Sequence, residues 1–89
     1  MNNYEESARL RLEILRQLAQ TPDGYMQAET PLFNSVALAM CPDPSRTDFA
    51  AALVRLETDK AVMCVPNEYR GKMYAITDYG RARLADALN

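Results

Sequence analysis

The sequence has no histidine, only three glycines and two cysteines, and no long apolar run in its 89 residues. Each scarcity removes a class of function. Without histidine there is no Ser-His or Cys-His pair and no customary general base, and no glycine-rich stretch exists to cradle a phosphate. Catalysis is therefore not expected. Cys41 and Cys64 match no zinc-ligand spacing and make no disulfide framework, so they read as packing residues, and no metal or other cofactor is implied. Apolar stretches of a few residues fall far short of the ~20 needed to cross a bilayer, and no basic-then-apolar leader opens the chain. A reducing cytoplasm is the expected location.

Basic charge is also scarce overall. Ten basic side chains against twelve acidic ones give a formal charge of −2, so the molecule lacks a general field that attracts phosphate backbones. Any nucleic-acid contact must come from a local patch. Residues 21–44 carry Asp23, Glu29 and Asp43 with no Lys or Arg, whereas residues 69–83 carry Arg70, Lys72, Arg81 and Arg83 against Asp78.

What is present is an ordinary globular composition, 48% hydrophobic and 25% charged, which argues against disorder. A chain this short buries only about 60% of its unfolded surface, so all its amphipathic elements are expected to serve one core in one domain, 1–89.

"YEESARLRLEILRQLAQ" predicts a long first helix with Ala8, Leu12, Leu15 and Ala19 on one stripe. Arg11, Ile14 and Leu18 flank the stripe and Leu10 falls on the far side. Pro22 and Asp23-Gly24 end this helix, and "YMQA" can extend. Thr30-Pro31 offers an N-cap and a first-turn proline for a second helix, "PLFNSVALAM", with core spacing at Leu32, Phe33, Val36, Ala37 and Met40. "CPDP" breaks it. Ser45 with Asp48 makes a variant capping box for a third helix, "RTDFAAALVRLETD". Phe49, Leu53 and Leu56 form its core stripe. Its outward face presents Thr47, Ala51, Val54 and Thr58, with Asp48 and Arg55 beside them.

After Lys60 the pattern turns strand-like. "AVMCV" and "MYAIT" read as a β-hairpin around the connection "PNEYRGK". Thr77 or Asp78 then caps a last helix, "YGRARLADAL", with Leu84 and Leu88 facing inward. Met26, Met40, Met63 and Met73 read as gap fillers in a small core. The mixed charges of the first helix, Arg9, Arg11 and Arg16 beside Glu5, Glu6 and Glu13, make a solvated face, and Arg81 and Arg83 are expected to face solvent or rim a dimer.

This order, α-β-α-α-β-β-α, mostly helical with a small hairpin, resembles the winged helix-turn-helix superfamily. "LVRLETDKAVMCV" is similar to the end of a recognition helix running into the first wing strand. "YAITDYGRARLADAL" is similar to the second wing strand and the LT-x-x-G approach to the closing helix in MarR- and PadR-type bacterial regulators. The resemblance implies a transcriptional regulator, bacterial or phage-encoded, that binds double-stranded DNA. The third helix would lie in the major groove and the hairpin tip near the backbone. Its DNA contacts would be Ser45, Arg46, Thr47, Ala51 and Arg55 on that helix and Arg70 and Lys72 on the wing. The broad apolar surface of the first helix, with Tyr4 and Leu10 at its margins, suggests a homodimer through the terminal helices. With no sensor domain or ligand pocket evident, regulation would rest on synthesis level or a partner. The uncharged Ala51, Val54 and Thr58 face keeps open a second reading, a winged-helix module that binds protein and not DNA.

Overall fold

The computed structural model describes residues 3–22 and 25–88. Its elements are α1 (Asn3–Ala19), β1 (Gln27–Ala28), α2 (Glu29–Ala39), α3 (Arg46–Thr58), β2 (Val62–Asn67), β3 (Gly71–Ile76) and α4 (Asp78–Leu88). This is the order that the winged-helix resemblance implies. Asp23, Gly24 and the side chain of Tyr4 lie outside the described residues.

The three strands form one antiparallel sheet in the order β1-β3-β2. Long helix α1 packs against α2, α3, α4 and β3. The core between them is built from Ile14, Leu18, Leu32, Val36, Phe49, Leu53 and Leu56, all buried. On α1 the buried residues are Leu10, Ile14, Leu15 and Leu18. The buried face is thus turned by roughly a quarter of the circumference from the expected stripe, at about 100° per residue. Leu10 is 4% exposed and belongs to the core. The spacing Leu10, Ile14, Leu18 is as regular as the one expected, and the packing of α2, α3 and α4 on α1 chooses between them.

Helix α2 begins before Thr30. Its N-cap is Ala28, with no side-chain cap, so Thr30 and Pro31 occupy the first turn. Proline is tolerated there because no first-turn amide has an intrahelical acceptor. Helix α3 starts as expected: Ser45 Oγ accepts the Asp48 amide at 3.0 Å. Its other end closes with Lys60 at φ 65°, the Lys60 amide on the Glu57 carbonyl and the Ala61 amide on the Leu56 carbonyl. That is a Schellman closure with lysine in the left-handed position that glycine ordinarily takes.

The hairpin connection is shorter than "PNEYRGK". Pro66 pairs with Lys72 and Asn67 with Gly71, leaving Glu68, Tyr69 and Arg70 as the tip. Asn67 Oδ1 accepts the amides of Tyr69 and Arg70 at 2.8 and 2.9 Å, and Gly71 takes φ 75°. Such a turn followed by a left-handed residue is a standard tight hairpin. Pro66 can sit in a strand because β2 is an edge. The Thr77 amide bonds the Ala61 carbonyl at 3.0 Å, so Val62, Cys64 and Pro66 stand in the non-bonded pairs of the ladder. The donor that Pro66 lacks would have pointed away from β3.

Thr77 caps α4, its Oγ1 accepting the Gly80 amide at 3.0 Å while lying 2.7 Å from the Lys60 carbonyl. Gly80 and Leu84 are buried on α4, but Leu88 is exposed. Each four-residue step advances about 40° around a helix, so Leu88 stands roughly 80° from Gly80 and beyond the packed face. Met63 and Cys41 are likewise exposed and not packed. Met63 alternates onto the outer face of the sheet, and Cys41 lies in the break after α2.

Tyr74, in the middle of β3, is buried. Burial pushes its phenol well above the ordinary tyrosine range, and the Cys64 thiol, Glu29 and Glu57 push the same way. With the folded pKa raised, the neutral phenol's stabilisation is complete below the unfolded value of about 10 and is lost as pH rises above it. Stability of the parent is therefore expected to fall above about pH 10. Tyr74→Phe should flatten that alkaline limb in urea titrations at successive pH values, and an unchanged limb would remove Tyr74 as its cause.

Candidate nucleic-acid interface

The outward face of α3 is as the sequence implies. Ser45, Arg46, Thr47, Asp48, Ala51, Val54, Arg55 and Thr58 are all exposed, because Phe49, Ala52, Leu53 and Leu56 occupy the buried side. At 1.5 Å per residue, Arg46 and Arg55 are about 13 Å apart along the axis, so the face has a basic residue toward each end and an uncharged middle. Val54, 62% exposed, stands in that middle.

The two arginines differ in environment. The Arg46 guanidinium lies 4.8 Å from the Phe33 ring centroid, which is not the carboxylate pairing that a surface arginine commonly finds. Arg55 Nε donates to Asp59 at 3.2 Å, and Arg83 Nη1 from α4 reaches the same carboxylate at 3.4 Å. Arg83 also stands 5.8 Å from the Tyr79 ring centroid. Two cations share one anion there, so this end of α3 keeps a net positive charge. All three groups are partly solvated, and such pairs contribute only about 0–1 kcal/mol.

The wing carries the other basic pair. Arg70 belongs to the tip, whereas Lys72 lies within β3 on the sheet face shared with Tyr74. Both side chains are exposed and neither makes an ion pair among the described residues. Glu68 and Tyr69 are exposed beside them.

The seven expected contacts thus form three local groups: Ser45, Arg46 and Thr47 at the start of α3, Ala51 and Arg55 further along it, and Arg70 and Lys72 on the wing. Sequence reasoning passed over Phe33 as a functional neighbour and Asp59 as the shared partner of Arg55 and Arg83. The Arg55–Asp59 spacing of four on one helix was a signal for the second. It also saw no pocket, whereas an open groove of about 560 Å³ separates α1 from the start of α3, lined by Glu6, Arg9, Leu10, Asp43, Asp48 and Ala51 among others. Among the described residues, no His, Cys, Asp and Glu side chains cluster as a metal site, and no helix is long and apolar enough to cross a membrane.

No protein-family model matches the chain, and no curated protein matches it. Among solved structures, one from Thermoplasma acidophilum, provisionally described as a transcriptional regulator, aligns with a TM-score of 0.72. The alignment covers 91% of this chain and 76% of that one at 19% identity. The shared property is the fold, which is winged-helix-like: mostly helical, with a small three-stranded antiparallel sheet.

Proposed function

We propose that the chain is a single-domain transcriptional regulator of the MarR or PadR type, cytoplasmic in a bacterium or phage host, that binds duplex DNA as a homodimer. Helix α3 enters the major groove with Ser45, Arg46, Thr47, Ala51 and Arg55, and the wing approaches the backbone with Arg70 and Lys72. The observation that carries this reading is the ordered wing: Asn67 fixes its tip, and Arg70 at the tip and Lys72 in β3 are exposed without a carboxylate partner among the described residues. The dimer contact through α1 and α4 is supported by exposed Tyr79 and Leu88 on α4. Leu10, buried in the core, no longer contributes to it.

The test is fluorescence anisotropy with mixed-sequence duplex DNA at low and moderate salt. Binding with Kd about 1–100 µM that weakens steeply with salt is expected. Absence of binding at low salt would remove the nonspecific electrostatic step on which such regulators depend. The second reading, a protein-binding module using Ala51, Val54 and Thr58, would then lead, favoured by the exposure of Val54 in an uncharged face.

A further inference from the structure

The Phe33 ring on α2 is held by one side chain of α3 and holds another. It meets Phe49 edge-on, ring centroids 5.1 Å apart at 74°, and Phe49 is fully buried. Arg46, the first residue of α3, rests its guanidinium 4.8 Å from the same ring's centroid. A guanidinium resting over a ring still has N–H donors to offer, and an arginine already held loses less freedom when it grips an anion. The Ser45 hydroxyl accepts the Asp48 amide, and the amides of Arg46 and Thr47, at the helix start, have no intrahelical acceptor. Asp48, exposed in the same turn, repels phosphate. Attraction at this end of α3 therefore depends on where the cation is held, since the local net charge does not supply it.

We infer that Phe33 is a positioning residue: its ring holds the Arg46 guanidinium at the start of α3, where its N–H donors can grip a backbone phosphate of duplex DNA. The inference rests on the DNA reading above and adds to it a side chain that does not itself touch DNA. Phenylalanine at this place serves two neighbours, since the ring that completes the core beside Phe49 is also the platform for the cation.

The experiment measures binding of mixed-sequence duplex DNA across a salt series for the parent, Phe33→Leu, Phe33→Tyr, Arg46→Ala and Phe33→Leu with Arg46→Ala, each checked for folding by circular dichroism. Phe33→Leu is expected to weaken binding about threefold and to lower the slope of log K against log salt by up to about 0.9, the value of one phosphate contact. Arg46→Ala should do at least as much, the double variant no more than Arg46→Ala alone, and Phe33→Tyr should match the parent. A purely structural loss would leave the slope unchanged. Should Phe33→Leu fail to fold, Arg46→Lys carries the test, since it keeps the charge and loses the planar guanidinium: weakened binding supports the inference and parent-like binding overturns it. Phe33→Leu with parent affinity and slope, while Arg46→Ala loses both, overturns the positioning role alone. A parent that binds no DNA overturns this inference together with the reading beneath it.

Discussion

Gly80→Ala is expected to lower stability by about 3 kcal/mol, near the top of the range for overpacking a filled site. Alanine ordinarily stabilises a helix interior by about 1 kcal/mol over glycine, so the expected sign is opposite to the local preference. A methyl group at Gly80 would overlap the Ala61 carbonyl oxygen and come within 2.8 Å of Ile76 Cγ1. The carbonyl cannot readily retreat. It accepts the Thr77 amide at 3.0 Å and lies 3.0 Å from the Thr77 hydroxyl, and that hydroxyl in turn caps α4 through the Gly80 amide. Relief at one bond strains the next. For a domain of this size the melting temperature should drop by roughly 12–24 °C, read by thermal and urea denaturation. A melting temperature equal to or above the parent's would show that α4 shifts outward at little cost.

Removing both Arg70 and Lys72 should weaken binding to mixed-sequence duplex DNA about tenfold or more at low salt and reduce the salt slope by about 1.8, two contacts at about 0.9 each. The loss should be uniform across sequences, because phosphate contacts position the protein without reading bases. Stability should hardly change, since both side chains are exposed and the tip is fixed by the Asn67 side chain and the Gly71 backbone. Unchanged slope in a fully folded double variant would place the backbone contacts elsewhere, with Arg46, Arg55 and Arg83 the next to test.

The parts of the fold that sequence reasoning reached are those encoded over a few residues. Ser45 and Asp48 announced the start of α3, "CPDP" the end of α2, and the Thr77-Asp78 pair the cap of α4, each through a backbone hydrogen bond or a missing donor. The parts it missed are decided by distant contacts. Leu10 and Leu12 are equally apolar, and the arrival of the other helices on α1 settles which of them is buried. Leu88 continues the spacing of Leu84, yet the packed face of α4 ends before it. In the sequence Pro66 falls in the expected connection and not in the strand, because its tolerance in a strand depends on β2 being an edge, which only the order of strands in the sheet decides. The same division holds for the candidate interface. The exposed face of α3 followed from period alone, whereas Phe33 under Arg46 and Asp59 beside Arg83 are meetings between different helices. Phe33 was further masked because its spacing with Leu32 and Val36 already explained it as core.

Pro66 also bears on how the molecule behaves in company. Strand β2 is apolar and β-prone, with Met63 and Val65 on its exposed face, the sort of edge on which another chain can add a strand and begin aggregation. The backbone donors that face away from β3 belong to Val62, Cys64 and Pro66, and the last does not exist. An incoming strand would find its ladder interrupted near the wing tip, so the proline at the hairpin's edge also serves as a gatekeeper, favouring dispersed molecules over edge-to-edge pairing when the chain is made at high concentration.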